Sequence, residues 1–297
     1  MIYFPMTDSA LSSNFFRKPL GLVLSGGGAL GSWQAGALAA LDKNLNLSFD
    51  SVVGFSAGAL NGAAFVLGAI ETAVERWKNT RHKKILTFSP RLFPFSIFSG
   101  DPIEAEVDYA ADENEAQKKL RTKLTLLTTF KDKSRRASCV FEPQGKWGGP
   151  LLKWMVASSS IPTIFPPVRL EYEGKEALFV DAGVPCQEPM SFKALAGCQD
   201  VIVLEMVRSD EPSRNPSGFW NKVDHKNRLG VRGFIDQGVA SLRELNPVPR
   251  IFRLAPSRAL EFAMLNFLSP EIPEAIAMGH ADACALIESP EKFLLPS

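Results

Sequence analysis

Three stretches of this chain carry groups that could do chemistry together. Gly54-Phe55-Ser56-Ala57-Gly58 follows the apolar pair Val52-Val53 and opens an apolar, small-residue run. A serine between small residues at a strand-to-helix junction stands exposed on a sharp elbow, the posture of a nucleophile. Gly26-Gly27-Gly28-Ala29-Leu30-Gly31 follows the apolar run Leu20–Leu24. The bare backbone N–H groups of Gly26, Gly27, Gly28 and Ala29 can donate to a developing negative charge. Leu178-Phe179-Val180-Asp181-Ala182-Gly183 runs an apolar strand straight into an acid and a turn. In open α/β sheets functional residues collect at the carboxyl ends of strands. A carboxylate is normally a weak base for serine. Within hydrogen-bond reach in a water-poor site, Asp181 can still accept the Ser56 proton as attack proceeds. The chemistry these parts describe is acyl transfer from an ester to serine, with the glycine loop holding the oxyanion.

Other readings of the same residues compete. The glycine loop also satisfies GxGxxG, which would cradle a dinucleotide if an acid closed the second strand. That strand ends in Gly54-Phe55-Ser56 instead, and Asp50 precedes it. Histidine is the usual base for serine, and the chain has three. His82 sits in the basic run Arg81-His82-Lys83-Lys84, His225 in a polar stretch read as a surface loop, and His280 in the last helix. Ser56…Asp181…His280 or His225 would follow the chain order of an α/β-hydrolase triad. A non-catalytic lipid-binding protein with the same parts is the third alternative.

The blocks around Gly26–Gly31, Gly54–Gly58 and Asp181-Ala182-Gly183, with Ala157-Ser158-Ser159-Ser160-Ile161-Pro162 ahead of the acid strand, stand in the order and spacing of patatin-like phospholipases, which the chain resembles over residues 18–207. The resemblance implies a three-layer α/β/α sandwich with a mostly parallel central sheet. It also implies hydrolysis of lipid acyl esters, of phospholipid or lysophospholipid, through a Ser–Asp dyad and an acyl-enzyme. Carried over by position, Ser56 is the nucleophile, Asp181 the base and the backbone around Gly27, Gly28 and Ala29 the oxyanion hole. Gly54 and Gly58 shape the elbow, and Ala182 and Gly183 the acid turn. Three positions depart from the family pattern. Leu30 stands where a basic residue is common, Ala182 where glycine is, and Gln187 where an asparagine is.

The elements that must position these groups alternate along the chain. Strand-like runs cover residues 21–25, 51–55, 124–130, 138–142, 177–180, 201–206 and 250–254, and helical patterns cover 31–44, 57–67, 70–78, 150–158, 231–245 and 273–287. Short apolar strands without polar alternation predict a sheet buried on both faces, and their alternation with helices predicts a layered, mostly parallel fold. Residues 88–102 and 210–227 read as irregular surface excursions. Residues 1–17 read as an N-terminal extension and 18–297 as a single domain, with the C-terminal helices on the same core.

Composition narrows the partners. With 297 residues, 45% of them hydrophobic, and a net charge of +1, the chain can build a large core and has no global pull toward nucleic acid. The cysteines Cys139, Cys186, Cys198 and Cys284 are scattered, so free thiols and a cytoplasmic location are expected, with no metal and no cofactor. Arg76, Lys78, Arg81, Lys83 and Lys84 precede an aromatic stretch containing Phe93, Phe95 and Phe98. Basic residues beside apolar ones suit peripheral contact with an anionic membrane. An ordinary packed loop is the alternative.

Overall fold

The computed structural model describes residues 15–44, 48–79, 88–92, 95–98, 107–211 and 215–296. In chain order the elements are β1 (Leu20–Leu24), α1 (Gly31–Asn44), β2 (Ser51–Gly54), α2 (Ala57–Val66), α3 (Ile70–Asn79), β3 (Phe88–Leu92) and β4 (Phe95–Phe98). They continue with α4 (Glu113–Lys119), β5 (Lys123–Phe130), β6 (Arg136–Phe141), α5 (Leu151–Ser158), β7 (Val168–Tyr172) and β8 (Lys175–Val180). β9 (Asp200–Leu204), α6 (Phe219–Arg243), β10 (Arg250–Leu254) and α7 (Ile272–Glu288) complete the set.

The central sheet runs β10-β9-β1-β2-β5-β8-β7, with β6 paired to β5. The five strands from β10 to β5 are mutually parallel, and β6, β7 and β8 join antiparallel. β1 and β9 are buried at every position, which is why neither alternates polar with apolar. Leu22, Leu24, Val52, Leu124, Ile202 and Leu204 face one side, where α1, α2, α3, α5 and α7 cover them. Val23, Val53, Leu127, Val201 and Val203 face the other, against α6 and the segment from Met190 to Cys198. Helices, sheet and helix make three layers, as the resemblance implies. Phe15 and Phe16, assigned above to the extension, pack edge-to-face on Phe252.

Some elements differ from the sequence reading. α6 begins at Phe219 rather than near 231. Its buried stripe Arg228, Val231, Ile235, Val239, Leu242 starts two turns in; the first turns are rich in polar and charged residues among the exposed Phe219, Trp220 and Val223, a composition read above as a loop. The 88–102 stretch contains the antiparallel pair β3–β4. α4 was not anticipated; Asp112 caps it, its Oδ1 accepting from the N–H groups of Asn114 and Glu115. β7 was also missed. It pairs with β8 across Glu173-Gly174, where both residues take positive φ, the turn chemistry of a tight hairpin. The four cysteines are free thiols. Among the described residues no helix is long and apolar enough to cross a membrane.

Candidate active site

Strand pairing alone brings Ser56 and Asp181 together. β6 occupies one edge of β5 from Leu124 to Thr129. The other edge is shared: β2 takes its first half, up to Leu126, and β8 takes Thr129 and Phe130. β2 runs parallel to β5 and β8 antiparallel, so their carboxyl ends point at each other along that shared edge. Ser56 follows the first and Asp181 the second. Ser56 Oγ donates to Asp181 Oδ2 at 2.7 Å, and both residues are buried, at 7% and 3% exposure.

The elbow holds Ser56 in an unusual conformation. Its φ of 54° and ψ of −131° lie where side chains are disfavoured, at a cost of order 1–3 kcal/mol that surrounding contacts must over-determine. Those contacts come from the turn after α5. The Ser56 N–H donates to Ser158 Oγ at 3.0 Å, Ser158 Oγ donates to the Leu127 carbonyl, and Ser159 Oγ donates to the Ser56 carbonyl at 3.1 Å. Gly58 lets α2 approach β1: a Cβ there would lie 2.2 Å from the Leu24 carbonyl oxygen.

Asp181 is braced by the same turn, its N–H donating to the Ser160 carbonyl at 2.9 Å. Burial pushes its carboxyl pKa from 3.8 up to about 6, against the opposing pull of the Ser56 hydroxyl, the Gly183 N–H and the Arg136 charge. The result is a stronger base that is still ionised at neutral pH. Gly183 N–H donates to Asp181 Oδ1 at 2.6 Å. Arg136, on β6, clamps the acid turn from behind. Its guanidinium donates to the carbonyls of Ala182, Val184 and Glu188 and to Thr129 Oγ1.

The glycine loop lies beside the elbow. A Cβ on Gly26 would come 2.9 Å from Ser56 Cβ. Gly28 has φ +56° and lines the pocket that Ser56 opens into. Ala29 is a correction to the expected donor set: its N–H donates to the Met264 carbonyl at 2.7 Å. The carbonyl belongs to a strap between β10 and α7 that lies over the loop. Among the described residues, the N–H groups of Gly27 and Gly28 have no such partner.

The pocket above Ser56 is mostly apolar, walled by Leu60, Trp77, Val107, Ile161, Phe165 and Phe267. Asn61 ties its base to the helices, donating to the Gly31 carbonyl and accepting from Trp77 Nε1. Tyr109 donates to the Leu60 carbonyl at 3.1 Å. Among the described residues no cluster of His, Cys, Asp or Glu is grouped to hold a metal.

A sequence model of the patatin-like phospholipase family matches residues 22–188, more than half of the chain. The chain belongs to the patatin-like phospholipase family. Membership places it among lipid hydrolases in the general sense. No curated protein matches it. Among solved structures it is similar to VipD from Legionella pneumophila, with 13% identity and a TM-score of 0.43, over 92% of this chain and 67% of that one. It is also similar to the type III effector protein ExoU, with 14% identity and a TM-score of 0.42, over 93% of this chain and 54% of that one. A full-length ExoU from Pseudomonas aeruginosa in complex with SpcU gives 16% identity and 0.41, over 95% and 54%. These likenesses are loose, and the chain spans only about half the length of ExoU; membership rests on the family match.

Against the patatin-like pattern, Leu30 is fully buried, so the position that is often basic serves the core here. The Gln187 side chain is exposed, and its backbone N–H donates to the Lys133 carbonyl. The triad alternative finds no histidine at the dyad among the described residues. His225 lies on α6, not in a loop, and pairs through Nδ1 with Glu211 Oε1 at 2.9 Å. His280 lies on α7 beside Cys284. His82 is outside the described residues. Of the residues expected at a membrane, Arg76 lines the pocket, pairs with Asp108 at 2.6 Å and sits over the Tyr109 ring. Lys78 pairs with Glu75 at the surface. Arg81, Lys83, Lys84 and Phe93 lie outside the described residues, as do the side chains of Phe95 and Phe98.

Sequence reasoning gave Ser158, Ser159, Arg136 and Met264 no role. The serines had a signal, since they sit inside a block carrying the family resemblance. Arg136 and Met264 had none, because only the folded sheet brings them to the site.

Proposed function

We propose that this chain hydrolyses fatty-acyl ester bonds of lipids, phospholipid or lysophospholipid, through a Ser56–Asp181 dyad and an acyl-enzyme. The direct 2.7 Å hydrogen bond from Ser56 Oγ to Asp181 Oδ2 at the foot of an apolar pocket carries this reading. A triad would need an imidazole between them, and a bond this short leaves no room for one.

Ser56 Oγ attacks the ester carbonyl carbon and its proton passes to Asp181 Oδ2. The carbonyl oxygen, now negative, is held by the Gly27 and Gly28 N–H groups, with the N-terminus of α2 favouring negative charge nearby. Collapse of the tetrahedral intermediate breaks the ester C–O bond, and the departing alcohol takes the proton back from Asp181. Water then attacks the acyl-serine, loses its proton to Asp181, and the second collapse returns that proton to Ser56 and releases the fatty acid. The apolar pocket takes the acyl chain and keeps competing water away from the dyad.

A fluorophosphonate ester probe tests the dyad directly. The wild type is expected to label, Ser56→Ala not at all, and Asp181→Asn at least about 100-fold more slowly, the usual worth of a positioned general base. Labelling that persists in Asp181→Asn at the wild-type rate would transfer the base role to another residue. A folded wild type that neither labels nor cleaves micellar lysophosphatidylcholine would sink the hydrolase reading.

A further inference from the structure

Among the described residues seven large apolar side chains are exposed, and five of them gather on two segments. Phe219, Trp220 and Val223, at 70%, 77% and 39% exposure, occupy the first turns of α6, and Leu265 and Leu268, at 40% and 59%, lie on the strap that covers the glycine loop. Polar contacts join the two segments. Asp224 Oδ1 accepts from the Met264 N–H at 2.7 Å, Arg228 Nη2 donates to the Phe262 carbonyl at 2.6 Å, and Arg228 also pairs with Asp224. Trp220, Asp224 and Arg228 follow one another at intervals of four along one ridge of the helix. The two inner members grip the strap, so Trp220 continues the same ridge one turn further out.

The strap has two sides. Its Met264 carbonyl rests on Ala29 and its Phe267 ring walls the pocket, stacked on Trp77 at 6.4 Å. Leu265 and Leu268, beside those residues in sequence, face solvent. On the strap, the patch residues Leu265 and Leu268 therefore stand next to groups that wall the pocket that holds Ser56, and α6 is tied to the same strap. On the neighbouring ridge of α6, Lys222 and Lys226 are exposed at an interval of four and carry no ion pair among the described residues. Asp224, the acid between them, is neutralised by Arg228.

We infer that the start of α6 and the 260–269 strap form a docking surface for an anionic phospholipid bilayer, which brings lipid to the pocket mouth. The choice of a bilayer as occupant rests on the lipid-ester reading above and on the charge. Two exposed aromatics and three aliphatics enter the acyl boundary while flanking lysines meet headgroup phosphates. Its residues are different from those of the basic run and aromatic stretch at 76–98.

The test uses Ser56→Ala protein, so that binding is read without turnover, and cosedimentation with vesicles of phosphatidylglycerol and phosphatidylcholine. The parent is expected to bind. Phe219→Ser/Trp220→Ser should bind at least about tenfold more weakly, given the area two buried aromatics represent. Lys222→Glu/Lys226→Glu should weaken binding to vesicles containing phosphatidylglycerol but not to phosphatidylcholine alone. All four positions are exposed, so unchanged thermal melting separates lost docking from lost folding. Equal binding by parent and Phe219→Ser/Trp220→Ser, or a parent that ignores vesicles, would overturn the proposal. So would a concentration-dependent dimer abolished by the aromatic pair, which would assign the patch to a second copy of the chain. A parent that docks through the patch while the Ser56 protein fails to label with fluorophosphonate would keep the docking surface and remove the hydrolase reading.

Discussion

The two halves of the site are built by different means. The half proposed to transfer the proton rests on strand ends: β2 and β8 meet along one edge of β5, and the turn at Ser158, Ser159 and Ser160 ties Ser56 and Asp181 together through backbone groups. The half proposed to stabilise charge rests on a glycine loop whose Ala29 N–H is already taken by the Met264 carbonyl of a strap more than two hundred residues away in sequence. Dyad geometry is thus a property of the sheet. The donor set available to the proposed oxyanion depends on how one loop lies over another, and the same strap carries Leu265 and Leu268 of the exposed patch.

The comparison is broken most easily on the loop side. Gly28→Ala would place a Cβ 2.2 Å from the Met264 carbonyl oxygen at φ +56°, so either the strap or the loop must move. The dyad makes no contact with that methyl position. Turnover of a soluble ester should fall about 100- to 1000-fold, the usual cost of a lost oxyanion donor, while the pH at which activity sets in stays put. If kcat were unchanged, the glycine loop would not be the oxyanion site.

On the dyad side the weaker lever is Arg136. Its charge pulls the Asp181 pKa down against burial, and its guanidinium clamps the acid turn. Arg136→Met removes both. The acid limb of kcat/KM, expected near pH 6 in the wild type, should move to higher pH, so that the loss of activity is larger below pH 6 than at pH 8. Arg136→Lys should restore part of the shift, since a charge returns without the planar fork. A uniform loss with no movement of the limb would mean that Arg136 acts only by holding shape.

What could be read from the sequence follows the same division. The elbow, the glycine loop and the acid strand are local: each is a few residues whose types force a turn or end a strand, so α1 was placed at both ends and Ser56 and Asp181 were paired. The sheet was legible because β1, β2 and β9 are apolar at consecutive positions. Of the braces, the serine turn after α5 was marked only by the resembling block it sits in, and an arginine on β6 carries no spacing that points at residue 56 or 181. The strap was not legible. Its contacts are a backbone carbonyl on Ala29 and carbonyls held by Arg228, and carbonyls leave no mark in a sequence. The start of α6 was mistaken for a loop because the Ser, Asn, Pro and charged residues of 210–227 outweigh the apolar positions 219, 220 and 223.

The smallest expected effect lies in stability, and its sign is opposite to the effect on activity. Asp181 has a folded-state pKa of about 6 against 3.8 for a free aspartate. The folded state therefore holds its proton more tightly than the unfolded state does. The stability that this proton contributes is complete below about pH 4 and is lost as pH rises through about 6. At pH 8 the buried carboxylate opposes folding by at most about 3 kcal/mol. Asp181→Asn removes the charge and keeps an oxygen for the Gly183 N–H. Losing the charge-assisted bonds from Ser56 and Gly183 offsets part of the gain, leaving about 1–2 kcal/mol of stabilisation at pH 8. Urea unfolding of both proteins at pH 8 and pH 4 reads this out. The inactive variant should be the more stable at pH 8, and the advantage should vanish at pH 4. An advantage of equal size at both pH values would mean that the buried carboxyl does not titrate with folding, and the base strength assigned to Asp181 would fall with it.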